Sequence, residues 1–169
     1  MSDGAVEDVS PNVSRVESRT GRDYPRAPLV GVAAAVVQGE QILLIRRGRE
    51  PMLGAWSLPG GALELGETTA EGVAREVLEE TGVRVRPIEI VATLDRIVRD
   101  EEGRVRFHYV LVEWLCLPVE DTASPVCGDD AMEARWVPRG EMTSLAYNLG
   151  ESTLDVIGKA LKIAETMSQ

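Results

Sequence analysis

The order of apolar and polar positions divides the chain into segments of different period. Leu29 to Val37 is an unbroken apolar run closed by Gln38-Gly39-Glu40, which predicts a buried strand. Gln41–Arg47 supplies a second strand and completes a hairpin. Gly48–Leu53 reads as a polar loop containing Pro51, and Ala55–Leu58 as a short strand. Pro59-Gly60-Gly61 follows, where two glycines permit backbone approaches that a Cβ would block. Between Thr69 and Thr81 the period becomes helical. Thr68 is the predicted N-cap, Glu71 its capping-box partner and Gly82 the residue just past the end. Val85–Val98 and Val105–Leu117 predict two long strands around the turn Asp100-Glu101-Glu102-Gly103, and Ala134–Val137 a further strand. Ser152–Thr166 predicts a closing helix with Leu154, Ile157, Leu161 and Ala164 on one side. Strands outnumber helices and there is no internal repeat, so the expected architecture is an α+β domain with a mixed sheet between helices. Residues 1–24 are rich in Ser, Asp, Glu and Arg, with isolated valines at no period. They are expected to form a mobile tail ahead of one domain spanning 25–169.

Composition narrows the setting. A chain of 169 residues with 44% hydrophobic and 27% charged positions can build one core unaided. The apolar run at 29–37 falls far short of the roughly 20 residues that span a bilayer, and the start MSDGAVEDVS resembles no signal peptide. With two cysteines and no C-x-x-C spacing, neither a disulfide framework nor a cysteine zinc site is indicated, and a cytoplasmic location is expected. Eighteen Lys and Arg against 28 Asp and Glu give a net charge of −10, which opposes binding to nucleic acid or an anionic membrane. It leaves room for a phosphorylated small molecule, because carboxylates that hold divalent cations reverse the local sign.

Such carboxylates stand on the first predicted helix. With about 100° per residue, Glu79 and Glu80 fall on either side of Glu76, while Ala70, Ala74, Val77 and Thr81 gather elsewhere. A solvated acidic face is the plain reading of a Glu-rich helix. Here it carries two penalties: like charges at i,i+3 and i,i+4 cost roughly 0.2–0.5 kcal/mol per pair, and the helix C-terminus disfavours negative charge. A divalent cation would turn the same arrangement into a site, since Mg²⁺ takes oxygen ligands. Glu64 and Glu67 add acidic groups in the preceding loop. Arg75 could pair with Glu79 or fold back onto a loop carboxylate.

Gly61, Glu67 and the run Arg75-Glu76-Val77-Leu78-Glu79-Glu80-Thr81-Gly82-Val83 together resemble the Nudix box, Gly-x5-Glu-x7-Arg-Glu-U-x-Glu-Glu-x-Gly-U with U aliphatic. Every specified position is met. Seven fixed identities at background frequencies give a chance match of roughly one in ten million or less. The resemblance implies a Nudix-like α/β/α sandwich with a mixed sheet and a catalytic loop–helix–loop. It implies that Glu76, Glu79, Glu80 and the Gly60 carbonyl bind Mg²⁺ or Mn²⁺. Glu67 and Arg75 would hold the loop to the helix, with Glu67 near a metal-bound water. The implied activity is hydrolysis of a nucleoside diphosphate linked to another group. The general base would be a box glutamate or a carboxylate of a later loop, where Asp129, Asp130 and Glu133 are the candidates.

Arg46, Arg47 and Arg49 follow the second strand and are candidates for the substrate phosphates, with a solvated strand end as the alternative. Trp56 could stack on a base or simply pack. Arg96 and Arg99 are weaker candidates, and Tyr24 and Tyr147 could line a nucleoside pocket. Trp114 and Trp136 are expected in the core, and His108 as a packing or hydrogen-bonding residue. An ADP-ribose-like substrate is expected ahead of an oxidised nucleoside triphosphate, because base readout would call for a closed pocket with paired amide or carboxylate groups and no amide lies in the motif; Asp129 or Asp130 could still read a purine edge, which keeps the second substrate open. A non-catalytic ligand-binding regulator is the rival class, weakened by the intact box. The expected partner is a small nucleotide, and a homodimer is compatible with this reading.

Overall fold

A computed structural model describes residues 22–50, 52–120, 124–128 and 131–167. The strands are β1 (Leu29–Gln38), β2 (Gln41–Arg47), β3 (Trp56–Ser57), β4 (Gly60–Ala62), β5 (Val85–Arg99), β6 (Val105–Pro118) and β7 (Ala131–Pro138). The helices are α1 (Thr69–Thr81) and α2 (Glu151–Met167), with a short 3₁₀ turn at Arg139–Glu141. The sheet runs β3-β2-β1-β6-β5, with β4 paired to β1 and β7 to β2. The β1–β6 pair is parallel and the others antiparallel, so the sheet is mixed as expected.

Why β1 reads as continuous apolar sequence follows from its place at the centre. Val32, Ala34 and Val36 face α1 and pack with Val73, Val77, Val83 and Cys116. Ala35 and Val37 face the opposite way, with Leu115 and with Val156, Ile157, Ala160 and Leu161 of α2. A strand covered on both faces has no polar side to show. Each helix therefore covers one face, which is the α/β/α sandwich.

Helix α1 starts where the sequence places it. The Thr68 hydroxyl accepts from the Glu71 amide at 3.2 Å, and the Glu71 carboxylate accepts from the Thr68 amide at 2.8 Å. Gly82 ends the helix in the left-handed conformation at φ 68°. Several boundaries differ from expectation. The expected strand Ala55–Leu58 is shorter, Trp56–Ser57, and the glycine pair begins a further strand, Gly60–Ala62, which pairs with Gly31–Ala33. Gly60 can do this only without a side chain: at φ 158° a Cβ there would lie 2.2 Å from the Val32 carbonyl oxygen. β7 is also longer than Ala134–Val137, because its pairing with β2 extends from Pro138 to Ala131 through a register shift at Arg46/Arg47.

Of the expected tail, residues 1–21 lie outside the described residues. Its last residues are held by the domain: the Tyr24 amide donates to the Arg106 carbonyl at 2.8 Å, the Tyr24 hydroxyl to Asp100 at 3.0 Å, and Asp23 pairs with Arg106 at 3.4 Å. No helix among the described residues is long and apolar enough to cross a membrane.

Candidate active site

The loop between β4 and α1 is pinned to the helix by one arginine. Arg75 Nε donates to Glu67 Oε1 at 2.7 Å and its Nη2 to Glu67 Oε2 at 3.0 Å, a two-pronged pair that fixes direction as well as distance. The same Nη2 reaches the Ala62 carbonyl at 3.1 Å, which ties β4 in too. Nη1 turns the other way, to Glu76 at 3.0 Å and Glu79 at 3.2 Å. Of the two partners open to Arg75 in the sequence, it takes both. The Arg75 hydrogen bonds hold Glu67 below the usual carboxylate range.

The second tie runs from helix to strand. Glu80, only 6% exposed, accepts the Gly60 amide at 2.8 Å. Glu76 lies against Gly61 so closely that a Cβ on that glycine would sit 2.4 Å from its Oε1. Burial pushes the Glu76 carboxyl upward, and the Arg75 hydrogen bond opposes the shift. Glu79 is the open member, its side chain 59% exposed. The Gly60 amide, rather than the carbonyl expected to bind metal, is the group seen to meet a box glutamate. Among the described residues no three acidic, His or Cys side chains already converge as a metal centre. Arg75 bridges Glu76 and Glu79, while Glu80 is turned to the strand. The donors are nonetheless all oxygens, and a carboxyl raised by burial beside two others is one that a hard cation would stabilise. The set fits Mg²⁺ or Mn²⁺.

The later loop that carries the candidate carboxylates starts with a contact not foreseen from sequence, closing the far end of α1. The Val126 amide donates to the Thr81 carbonyl at 2.8 Å and the Gly128 amide to the Glu80 carbonyl at 3.0 Å, satisfying carbonyls the helix leaves open. A Cβ on Gly128 would overlap the Glu79 carbonyl oxygen at 1.8 Å, so the approach requires glycine. Asp129 and Asp130 lie outside the described residues, but the chain leading to them is anchored at the glutamate helix.

Substrate candidates separate. Arg46 and Arg47, grouped as one patch from sequence, line different cavities, because neighbours on a strand point to opposite sides. Arg47 lines the cavity beside Gly60 and Gly61, together with Arg96. Arg46 donates to the Gly54 carbonyl at 3.1 Å and borders a second cavity with Glu133, Arg135 and Tyr147. Glu133 is engaged there by Arg135. Arg49 is exposed and lines neither. Trp56 borders both and packs edge-on against Tyr147 at 5.2 Å. Arg99 instead serves the hairpin turn, donating to the Gly103 carbonyl at 3.0 Å. Trp114 and Trp136 pack against the core on the α1 side.

Sequence reasoning passed over Glu113 and Ser57, both on the wall of the Gly60–Gly61 cavity. Glu113 is 6% exposed, and burial pushes its carboxyl up to about 7, against the opposing charge of Arg96. The signal was available: in β6 the alternate residues Phe107, Tyr109, Leu111 and Leu115 are apolar, so period two places Glu113 on their face.

A match to the NUDIX domain pattern covers residues 27–156. The chain belongs to the Nudix family. This Nudix chain is 31% identical over 121 residues to the ADP-ribose pyrophosphatase of Methanocaldococcus jannaschii, covering 72% of this chain and 68% of that one. It is 33% identical over 146 residues to a putative 8-oxo-dGTP diphosphatase 2 of Mycobacterium tuberculosis, covering 74% and 93%. It spans 43% of the putative ADP-ribose pyrophosphatase YjhB of Bacillus subtilis, at 35% identity over 56% of this chain. Among solved structures, the MutT NUDIX hydrolase of Burkholderia pseudomallei superposes at TM-score 0.64 with 27% identity, over 79% of this chain and 98% of that one.

Proposed function

We propose that this Nudix hydrolase is a divalent-metal-dependent pyrophosphohydrolase that splits a nucleoside diphosphate linked to another group, with ADP-ribose-like substrates ahead of oxidised nucleoside triphosphates. The observation that carries the reading is the clamp of β4 onto α1: Glu80 on the Gly60 amide, Glu76 against Gly61, and Arg75 joining Glu67 to Ala62. It sets a carboxylate face against the Gly60–Gly61 backbone at the mouth of a cavity whose wall includes Arg47 and Arg96.

Glu76, Glu79, Glu80 and the Gly60 backbone would hold Mg²⁺ or Mn²⁺. When bound there, such an ion neutralises substrate phosphates and lowers the pKa of the attacking water. The protein supplies placement. Glu67 and Arg75 keep the loop from drifting, and Glu79, the most exposed of the three box carboxylates, is the candidate general base once it parts from Arg75. Asp129 and Asp130 remain alternatives for that role on the loop anchored at Glu80. Glu133 is the weaker one, since it lines the other cavity. Arg47, with Arg96, would meet the remaining phosphate charge. Cys116 is buried and Cys127 exposed, both free thiols, which fits a reducing cytoplasm.

ADP-ribose is placed first on the likeness to the archaeal pyrophosphatase. The mycobacterial relative, matched over nearly its whole length, favours the oxidised-nucleotide reading as second. Catalytic efficiency on ADP-ribose, NADH, diadenosine polyphosphates and 8-oxo-dGTP under one metal condition tests the order. A tenfold preference for 8-oxo-dGTP would reverse it. Glu80→Gln is expected to cut turnover at least a hundredfold in a folded protein, and retention of more than about a tenth of the rate would remove this face from the chemistry.

A further inference from the structure

Three buried side-chain atoms among the described residues lack a hydrogen-bond partner: Ser57 Oγ, Glu113 Oε2 and Trp114 Nε1. Two of them, on Ser57 and Glu113, belong to the wall of one cavity of about 210 Å³ that opens beside Gly60 and Gly61. Buried polar groups are ordinarily satisfied, and an orphaned acceptor is costly unless something that enters the cavity supplies the donor. Glu113 comes from β6, level with Ala33 of β1 and, one strand further, with Gly60 of β4. Its carboxyl therefore stands two strands from the backbone at the reaction site.

The rest of the wall decides what could enter. Trp56, Leu58, Tyr109 and Leu111 give it broad apolar surfaces, while Arg47 and Arg96 supply positive charge. Glu50, Asn148, Ser152 and Thr153 also reach this wall, but among the described residues Ser57 and Glu113 are the members of it with a buried polar atom that has no partner. A flat heteroaromatic ring with one N–H edge needs no more than these. We propose that Glu113 is a specificity-determining residue that accepts a hydrogen bond from the exocyclic amino group of the substrate nucleobase, with the Ser57 hydroxyl serving the same ring edge. The inference rests on the nucleotide-hydrolase reading for the class of molecule that enters. Above neutral pH the ionised carboxylate is an acceptor only, so a base carrying an oxo group in place of the amino group sets acceptor against acceptor.

The test compares AMP and IMP, which differ at that amino position, in metal-free equilibrium binding at pH 8, alongside hydrolysis of ADP-ribose and its hypoxanthine counterpart. The wild-type protein is expected to favour the amino base at least tenfold in both. Glu113→Gln, whose amide can accept or donate, is expected to bring both ratios within about threefold of unity. Ser57→Ala, which leaves the carboxylate in place, is expected to weaken AMP binding at least threefold. Equal affinity for AMP and IMP, no binding of either at millimolar concentration, or a wild-type preference that survives Glu113→Gln overturns the assignment. Hydrolysis without base discrimination defeats this inference alone. AMP preference with no hydrolysis of either diphosphate defeats the hydrolase reading and leaves Glu113 in its role.

Discussion

Replacing Glu113 by glutamine is expected to change stability by an amount that depends on pH, and the structure sets both sign and scale. Burial raises the carboxyl from 4.5 to about 7, so the folded state holds this proton more tightly than the unfolded chain does. The stabilisation is full below 4.5 and is lost as the pH rises through about 7, where folding must keep an ionised carboxylate under cover. At about 1.36 kcal/mol for each tenfold change in proton affinity, the swing has an upper bound of about 3 kcal/mol; water reaching the cavity reduces it to about 1–3 kcal/mol. Glutamine nearly matches the side chain in shape and does not titrate. At pH 5 the variant swaps one neutral group for another and should lie within about 1 kcal/mol of wild type. At pH 8 its stability relative to wild type should be higher than at pH 5 by most of the swing, since pH 5 already lies above the unfolded value of 4.5. Urea unfolding of both proteins at the two pH values measures the difference, and Glu76, also raised by burial, titrates in both and cancels. An offset between variant and wild type that is the same at pH 5 and pH 8, within about 0.5 kcal/mol, would refute the reasoning.

Gly60→Ala is expected to destabilise the fold by about 3 kcal/mol or more in urea melts, because its Cβ meets the backbone of Val32 and Ala33. In Gly61→Ala the nearest atoms to the new Cβ are those of the movable Glu76 carboxylate, so turnover should fall at least tenfold with a small change in melting temperature. Arg75→Lys keeps the charge but loses the fork onto Glu67 and the link to Ala62, and should cost about 1–2 kcal/mol together with a loss of activity, read by melting and by substrate turnover. Millimolar Mg²⁺ should raise the melting temperature of the wild type, and EDTA reverse it, while Glu80→Gln should respond weakly; equal shifts in both proteins would place the ion elsewhere.

Local sequence determined much of this protein. The nine apolar residues of β1, the capping box at Thr68 and Glu71, the glycine stop at Gly82 and the glutamate spacing on α1 were legible because each depends on neighbours within a turn or a strand. Family membership was legible for the same reason, since the box lies in one short segment. What only the tertiary structure decided are the relations between segments. The strand at Gly60–Ala62 exists because β1 offers it an edge and because Gly60 has no Cβ. Arg46 and Arg47 part company because a sheet separates adjacent side chains, though in sequence they read as one basic patch. The loop at Val126–Gly128 meets the end of α1 through backbone groups, and its one trace in the sequence, Gly128, does not say which backbone it approaches. Glu113 and Ser57 come to one cavity from strands more than fifty residues apart. Burial of Glu113, which sets its proton affinity, is a property of everything packed around it and not of the residues beside it in the chain.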